Sequence, residues 1–581
     1  MTPKTYFSRP QSVPQKQYDA LKSYFGDGQT AEAVAKTFGY TYRGFTTIIS
    51  DFRKRLKQHP GEDPFFHARP KGRKAPASVG ENRELIISLR KKFYSIEDIK
   101  VVCDSKGLQV SEKTIYNILK QEGFSRLPRR LKQEKKQLEP PRIPAAKSIM
   151  LSVGDEEFKS ASAGILTLLP YLEHYGIREL IERSGYPETK TLNKLSSILS
   201  FIALKASDIS RYTADDLWCM DRGTGLFAGL NVLPKAAWFT SYSHRVTSKM
   251  NRGLLSELHK IWQREGLLGD TVNLDFTTVP YWGDHNHLEN NWSGKRGKAL
   301  PSLLAVLAHD PDSGIIDYAD ADVKHSNEST VVLEFLDFYK KSSTQQTSPL
   351  KYLVFDSKFT NYQNLNKLNK EDIKFLTIRR RGKKLVERLN TLPTNQWKTI
   401  RVEASGHKKR TLKVLDETAS LPGYEGDVRQ VSITGNGKIK PAIIISNDFD
   451  LTVQEVVRKY ARRWLIEKAI SEQIEFFHLN KVSSSMVIKV DFDLTMSILT
   501  HNLYRLFARD MERHAHMTDQ RIYQEFVKNT AEIRIEGEII HVLLKKKRAL
   551  PLVLEKLSGF QELQYPWLDN KKICFEGATY S

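Results

Sequence analysis

At 581 residues, 40% hydrophobic and 27% charged, the chain is too long for one small core and too apolar for general disorder, so roughly three or four domains are expected. It contains no apolar run of the ~18 residues that span a bilayer, and MTPKTYFSRP lacks the apolar stretch of a signal peptide, so a cytoplasmic protein without a membrane partner is expected. The net charge of +22 is uneven: residues 1–150 hold 30 Lys and Arg against 15 Asp and Glu, the signature of a surface that meets a polyanion such as DNA.

In chain order, residues 17–57 predict short helices, with Thr30 capping AEAVAKTF, Gly39 ending it, and a second helix finishing in Arg53, Lys54, Arg55 and Lys57. Residues 81–123 repeat the pattern, with Ser95 and Ser111 as caps and Lys113 on the last helix. Two helix-turn-helix units are thus expected, at 1–59 and within 81–147, both all-α. Between them, the proline-rich basic linker 60–80 offers Arg69, Lys71, Arg73 and Lys74 to a minor groove, or is a solvated spacer. Arg129 and Arg130 begin a second basic linker toward 147. Residues 148–265 carry apolar positions at helical spacing and predict a helical scaffold. From 266 to 480 strands alternate with helices, the pattern of an α/β domain, and 481–581 is expected to be helical and basic. Cys103, Cys219 and Cys574 lie far apart, which fits a reducing compartment and argues against a structural zinc.

Two predicted strands end in aspartate: VNLD at Asp275 and YLVFD at Asp356. If the strands are neighbours the carboxylates converge, and a divalent cation relieves their repulsion. A later helix offers Glu467 as third ligand, with Glu472 and Glu475 as rivals on spacing alone; Asp270 and Asp284 similarly rival Asp275. Carboxylates without Cys or His suit Mg²⁺, with Mn²⁺ as substitute, and two such ions activate an attacking oxygen and stabilise a leaving one in phosphoryl transfer. Singly, each residue also has a plain structural reading, as a turn cap or a surface charge.

NLDFTTV, YLVFDSKF and YARRWLIE resemble the three signature blocks of bacterial insertion-sequence DDE transposases, and within that class the IS-four group. The third block in that group is a Tyr, an Arg three residues on, a Glu four later and a Lys seven after that. Tyr460, Arg463 and Glu467 match, whereas Ile474 stands at the Lys position, with Lys468 or Lys481 as substitutes. On one continuous helix the three matched residues would share a face, leaving Arg463 free to contact a phosphate.

The resemblance implies a ribonuclease-H-like catalytic domain with a β insertion at about 385–440. There Trp397 would stack on a base, or be core. It further implies Asp275, Asp356 and Glu467 as catalytic metal ligands, Tyr460 and Arg463 as DNA contacts, terminal inverted repeats as substrate, and a homodimer on paired ends, associated with the bacterial nucleoid. The alternatives are a DNA-binding regulator that no longer cuts and a structure-selective nuclease of the same fold.

Overall fold

The computed structural model describes residues 12–58, 61, 63, 65, 78–92, 94–124, 151, 154–209, 216–281, 288–293, 297–344, 350–403, 409–435, 441–481 and 487–578. The chain divides into two compact units, Met1–Pro141 and Arg142–Ser581.

The first unit holds two trihelical clusters. Ser12 caps α1 (Val13–Phe25), Thr30 caps α2 (Ala31–Phe38), and Gly39 ends α2 in the left-handed region at φ 64°, so that three residues suffice before α3 (Tyr42–Gln58). Ala20, Leu21, Val34, Ala35, Phe45 and Ile49 form the small shared core. The second cluster joins α4 (Ser78–Lys91), α5 (Ile96–Ser105) and α6 (Glu112–Gln121) around Ile86, Ile99, Ile115, Ile118 and Leu119. A capping box between Ser95 and Asp98 starts α5, and Ser111 caps α6. The expected positions Arg69, Lys71, Arg73, Lys74, Arg129 and Arg130 lie outside the described residues.

The second unit is built on two sheets. Its helices include α7 (Lys194–Ala206) and α8 (Ser248–Arg264). The larger sheet begins with β2 (Thr271–Pro280), β3 (Asn290–Ser293), β4 (Lys298–His309) and β5 (Ile316–Val323). Next, α9 (Val331–Ser342) leads to β6 (Tyr352–Phe355), and α10 (Tyr362–Lys370) leads to β7 (Lys374–Ile378). After α11 (Lys383–Thr391), β8 (Lys398–Glu403), β9 (Lys409–Ser420), β10 (Asp427–Thr434) and β11 (Ala442–Ser446) form a meander. The order is β3-β4-β2-β6-β7-β11-β10-β9-β8, with β5 also on β4. β4 runs antiparallel to β2 and β5, whereas β6 is parallel to β2 and to β7. The segment 385–440 is therefore no separate body: its strands continue the same sheet through β11, which pairs with β7.

The sheet is followed by α12 (Val453–Ala461), α13 (Trp464–Glu475) and α14 (Val487–Asp510). Val456 and Val457 of α12 cover one face of the extension, against Val354, Leu376, Val414, Val431 and Ile444.

Two expectations are corrected by this architecture. Residues 481–581 are not simply helical: β12 (Ala531–Glu536), β13 (Ile539–Leu544), β14 (Gln564–Tyr565) and β15 (Lys571–Gly577) form a five-stranded sheet with β1 (Glu156–Ser160). Nor do 265 and 480 separate domains. One hydrophobic core runs from Ala163 through Leu274 and Leu353 to Phe575, because α14 is buried on all sides and needs apolar partners all round.

Three of the polar side chains buried on α14 are matched to partners inside the fold. Asp493 pairs with Lys205 of α7 at 2.7 Å, Asp491 accepts from Asn251 of α8 at 2.7 Å, and the Asn502 amide bonds both backbone groups of Ile316 on β5. Lys205 and Asp493 are almost wholly buried, with side-chain exposures of 5% and 2%. Removing one charge strands the other, so Lys205→Met should cost about 3–5 kcal/mol. The double change Lys205→Met with Asp493→Leu should recover most of that loss in urea unfolding; an equal loss in the double variant would show that packing, not charge, is at stake.

Candidate functional site

The parallel register of β2 and β6 sets the site. Thr271 to Leu274 pair with Tyr352 to Phe355, so the next residue on each strand, Asp275 and Asp356, stand side by side where the pairing ends. Asp275 is not a strand terminus as expected; β2 runs on to Pro280, held by β4. Asp356 directly follows the last residue of β6 and caps the turn Ser357–Phe359, accepting from the Ser357 amide at 2.6 Å. Phe276 and Phe359, one and three residues after the two aspartates, stack with centroids 3.9 Å apart and planes 2° from parallel. That stack ties together the two segments that carry the carboxylates.

The third block is not one continuous helix. Between α12 and α13 the chain tightens: the amides of Arg463, Leu465 and Ile466 bond carbonyls three residues back. Asn273, two residues before Asp275, donates at 3.1 Å to the Arg462 carbonyl, which also accepts from the Leu465 amide, and so pins the break to β2. Lys459 fixes the other side, donating to Thr271 at 2.8 Å and lying 3.9 Å over the Tyr352 ring. The tightened turn still keeps Tyr460, Arg463 and Glu467 together, with the guanidinium 5.8 Å from the Tyr460 ring.

Arg463 is not free to contact a phosphate as expected. It is bonded to Asp275, and it donates to Glu467 at 2.6 Å, so one guanidinium holds two of the three acidic candidates. Arg463 and Asp275 are largely buried, whereas Glu467 is half-exposed. Burial pushes the Asp275 carboxyl up to about 6, against the lowering effect of Arg463, and Glu467 and Asp356 add to the rise. Burial likewise pushes the Tyr460 phenol up, so it stays neutral. Trp464, beside this cluster, is 50% exposed.

The rivals separate clearly. Asp270 precedes β2 and faces Lys459 at 3.8 Å; Asp284 lies outside the described residues. Glu475 is exposed at the end of α13. Glu472 is buried in a different network with His501, Asp519 and Arg505, beside a cavity of about 610 Å³ lined also by Arg462 and Lys468. Lys468 donates to the His516 carbonyl at 3.1 Å, Lys481 is exposed, and Ile474 is partly buried. Trp397 is half-buried where β8 begins, six strands from β2, or ~29 Å at ~4.8 Å per strand. In the first unit, Arg55 and Lys113 are exposed, and Arg53 lies 5.4 Å over the Phe25 ring. Asn273, Phe276, Phe359 and Lys459 are not singled out by the sequence pattern, although NLDF and FDSKF each carry an aromatic just after the aspartate.

An all-carboxylate donor set of this kind fits a hard divalent cation. The three are not clustered as tightly as two other groups: among the described residues, Glu472–His501–Asp519 and His541–Cys574–Glu576 bring three donor atoms within 4.8 Å of one another. Arg463, between Asp275 and Glu467, accounts for the looser set.

Residues 269–503, which carry this site, match the family described as the transposase DDE domain. The match spans less than half of the chain, from just before β2 into α14, and it supports a DDE transposase. A cryo-EM structure of the piggyBac transposase synaptic complex with hairpin DNA is similar at 10% identity over 64% of this chain and 82% of that chain, with a TM-score of 0.36. No curated protein matches the sequence. Among the described residues, no helix is long and apolar enough to cross a membrane.

The Glu472 network carries its own test. Burial, reinforced by the neighbouring Asp519 charge, pushes Glu472 up to about 9. Burial alone would raise Asp519 too, but Arg505 and His501 hold it ionised and low. The folded chain thus keeps a proton on Glu472 that the unfolded chain releases above its ordinary carboxyl range, and stability falls as pH rises from about 4.5 toward 9. Glu472→Gln mimics the protonated form. It should fold normally and show a smaller drop in Tm between pH 5 and 9 than the wild type; an identical pH profile would mean that Glu472 is ionised in the fold.

Proposed function

We propose that the chain is a DNA transposase that binds the terminal inverted repeats of its element and cuts and rejoins strands at the Asp275–Asp356 site. The observation that carries this reading is the side-by-side placement of the two aspartates on parallel β2 and β6, with Arg463 and Glu467 brought against them by α13, inside the segment that matches the DDE domain. The order β5-β4-β2-β6-β7, three antiparallel strands followed by two parallel ones, supports a ribonuclease-H-like core. The strands β8 to β10 inserted between β7 and β11 support the IS-four group.

In this reading Asp275, Asp356 and Glu467 would hold Mg²⁺ or Mn²⁺, as a pair of ions by the chemistry of such sites, and these ions supply activation of a water or 3′-hydroxyl when bound. The rest falls to the chain itself. Phe276 and Phe359 keep the two aspartates at fixed separation, and the exposed face of Trp464 offers a base a stacking surface next to the reacting strand. Arg463, released from its carboxylates, is placed to hold a phosphate. The two trihelical clusters serve as helix-turn-helix units that enter major grooves, and a homodimer on two paired ends follows from the same reading. Ile474 at the group's Lys position favours a second reading, a DNA-binding regulator that no longer cuts.

Cleavage of a supercoiled donor plasmid carrying the element ends separates the two readings. With Mg²⁺ the wild type should cut, EDTA should stop it, and Asp275→Ala, Asp356→Ala or Glu467→Ala should each lower the rate by a hundredfold or more, since a missing ligand removes about 3 kcal/mol or more of barrier stabilisation. Glu475→Ala is the matched control and should cut normally. A wild type that binds ends without cutting under any divalent cation would establish the regulator instead.

Binding should depend on the first unit. Arg55→Ala with Lys57→Ala, both exposed on the last turn of α3, should weaken end binding and reduce the slope of log K against log salt by about 0.9 for each phosphate that is no longer neutralised. An unchanged slope would remove the end of α3 from the DNA surface.

A further inference from the structure

We propose that His541, Cys574 and Glu576 form a transition-metal site, suited to Zn²⁺, on the outer face of the five-stranded sheet. β13 and β15 are parallel neighbours whose register sets His541 beside Cys574 and Leu543 beside Glu576. Cys574 and Glu576, two apart on one strand, share a face with His541, while Val542, Ile573 and Phe575 turn the opposite way into the core. The imidazole, thiol and carboxylate donors all lie within 4.8 Å of one another. His541 Nδ1 is 2.9 Å from the Glu576 carboxylate, and the Cys574 thiol bonds to that same carboxylate.

The donor set is what identifies the ligand. Thiolate, imidazole and carboxylate are the three side-chain types that bind Zn²⁺, and sulfur with nitrogen disfavours Mg²⁺ or Ca²⁺. Three protein donors leave a fourth position for water or a partner's side chain. The cysteine is also in an unusual place. Cys103 and Cys219 are fully buried among apolar side chains, where cysteine packs as a small hydrophobe, whereas Cys574 is only partly buried, on the polar face of its strand. The nearby cation does not oppose a metal: Arg534 on β12, opposite His541, is surrounded by Glu157, Glu532 and Glu536 at 3.5–3.6 Å. The other tight cluster, Glu472–His501–Asp519, differs on this point, because Arg505 is bonded to Asp519 and already supplies its positive charge.

Ligation requires the thiolate, so binding releases the Cys574 proton to solvent and exchanges its bond to Glu576 for one to the metal. The site stands apart from the Asp275 carboxylates and does not rest on the proposed function.

The test is a Co²⁺ titration of the full chain, stripped of metal under reducing conditions and kept in excess Mg²⁺ so that carboxylate sites are masked. One equivalent should raise a thiolate-to-cobalt charge-transfer band in the near ultraviolet, and Zn²⁺ should bleach it. Cys574→Ser should abolish the band, His541→Gln should weaken Co²⁺ binding by about tenfold or more, and Asp275→Ala should leave both intact. The His541 variant retains every cysteine, so it tests the site even if the Cys574 variant folds poorly. No band in the wild type, or a band that survives in Cys574→Ser or is equally tight in His541→Gln, would overturn the proposal and leave a hydrogen-bonded polar ladder on a solvated face.

Discussion

Two carboxylates side by side at the end of a parallel strand pair set the terms for everything around them. Like charges ~5 Å apart repel by ~3 kcal/mol at an effective dielectric of about 20, and burial adds a desolvation cost to each ionised form. The rise of Asp275 to about 6 records that cost even with a guanidinium in contact. Arg463 is the positive charge the fold itself supplies, and its two ion pairs, to Asp275 and to Glu467, are made where the helix is tightened at residues 462 and 463. Asn273 gives the Arg462 carbonyl at the tightened turn a second donor, beside the Leu465 amide. The local distortion and the ion pair are two parts of one arrangement.

Holding such a pair in place demands a rigid frame, and the frame is larger than the α/β segment alone. β2 is gripped by β4 on one side and β6 on the other, and β4 in turn by β5, whose backbone is bonded through Ile316 to Asn502 in the middle of α14. Because α14 is buried all round, Asp493, Asp491 and Asn502 cannot be solvated and are matched to Lys205, Asn251 and Ile316. Polar groups matched in this way specify one docking of the helix where apolar contacts alone would permit several. The helical region before the sheet and the strands after it are thereby locked to the aspartates, although neither contributes to the site.

The elements that were legible in the sequence are those whose signals are local. Thr30, Ser95 and Ser111 cap helices as their side-chain chemistry dictates, and the apolar runs around Asp275 and Asp356 become central strands. What failed depends on distant partners. The break at Arg463 arises from contacts with β2, nearly two hundred residues earlier, and leaves no mark in a helical pattern. The shared core defeats boundaries drawn at changes of pattern, because α14 joins segments on both sides of them. The terminal sheet is a different case. AEIRIE and IIHVLL alternate on either side of Gly537, a hairpin signal with Gly at φ 53°, but the basic run LLKKKR masks it in a reading by charge.

The Arg463 arrangement has a thermodynamic consequence under the proposed function. A guanidinium that neutralises Asp275 and Glu467 competes with any cation for the same two carboxylates, so cation affinity is lowered by the free energy of those ion pairs. A phosphate that draws Arg463 away removes the competition. Linkage is reciprocal: if bound DNA tightens the cation site by some factor, the bound cation tightens DNA by the same factor. The guanidinium's two loyalties thus couple substrate to cation without any rearrangement of the sheet, since only a side chain already poised at a tightened turn has to change partners. A Lys in its place would carry the charge but not the forked geometry that spans two carboxylates, which is why an arginine suits this position.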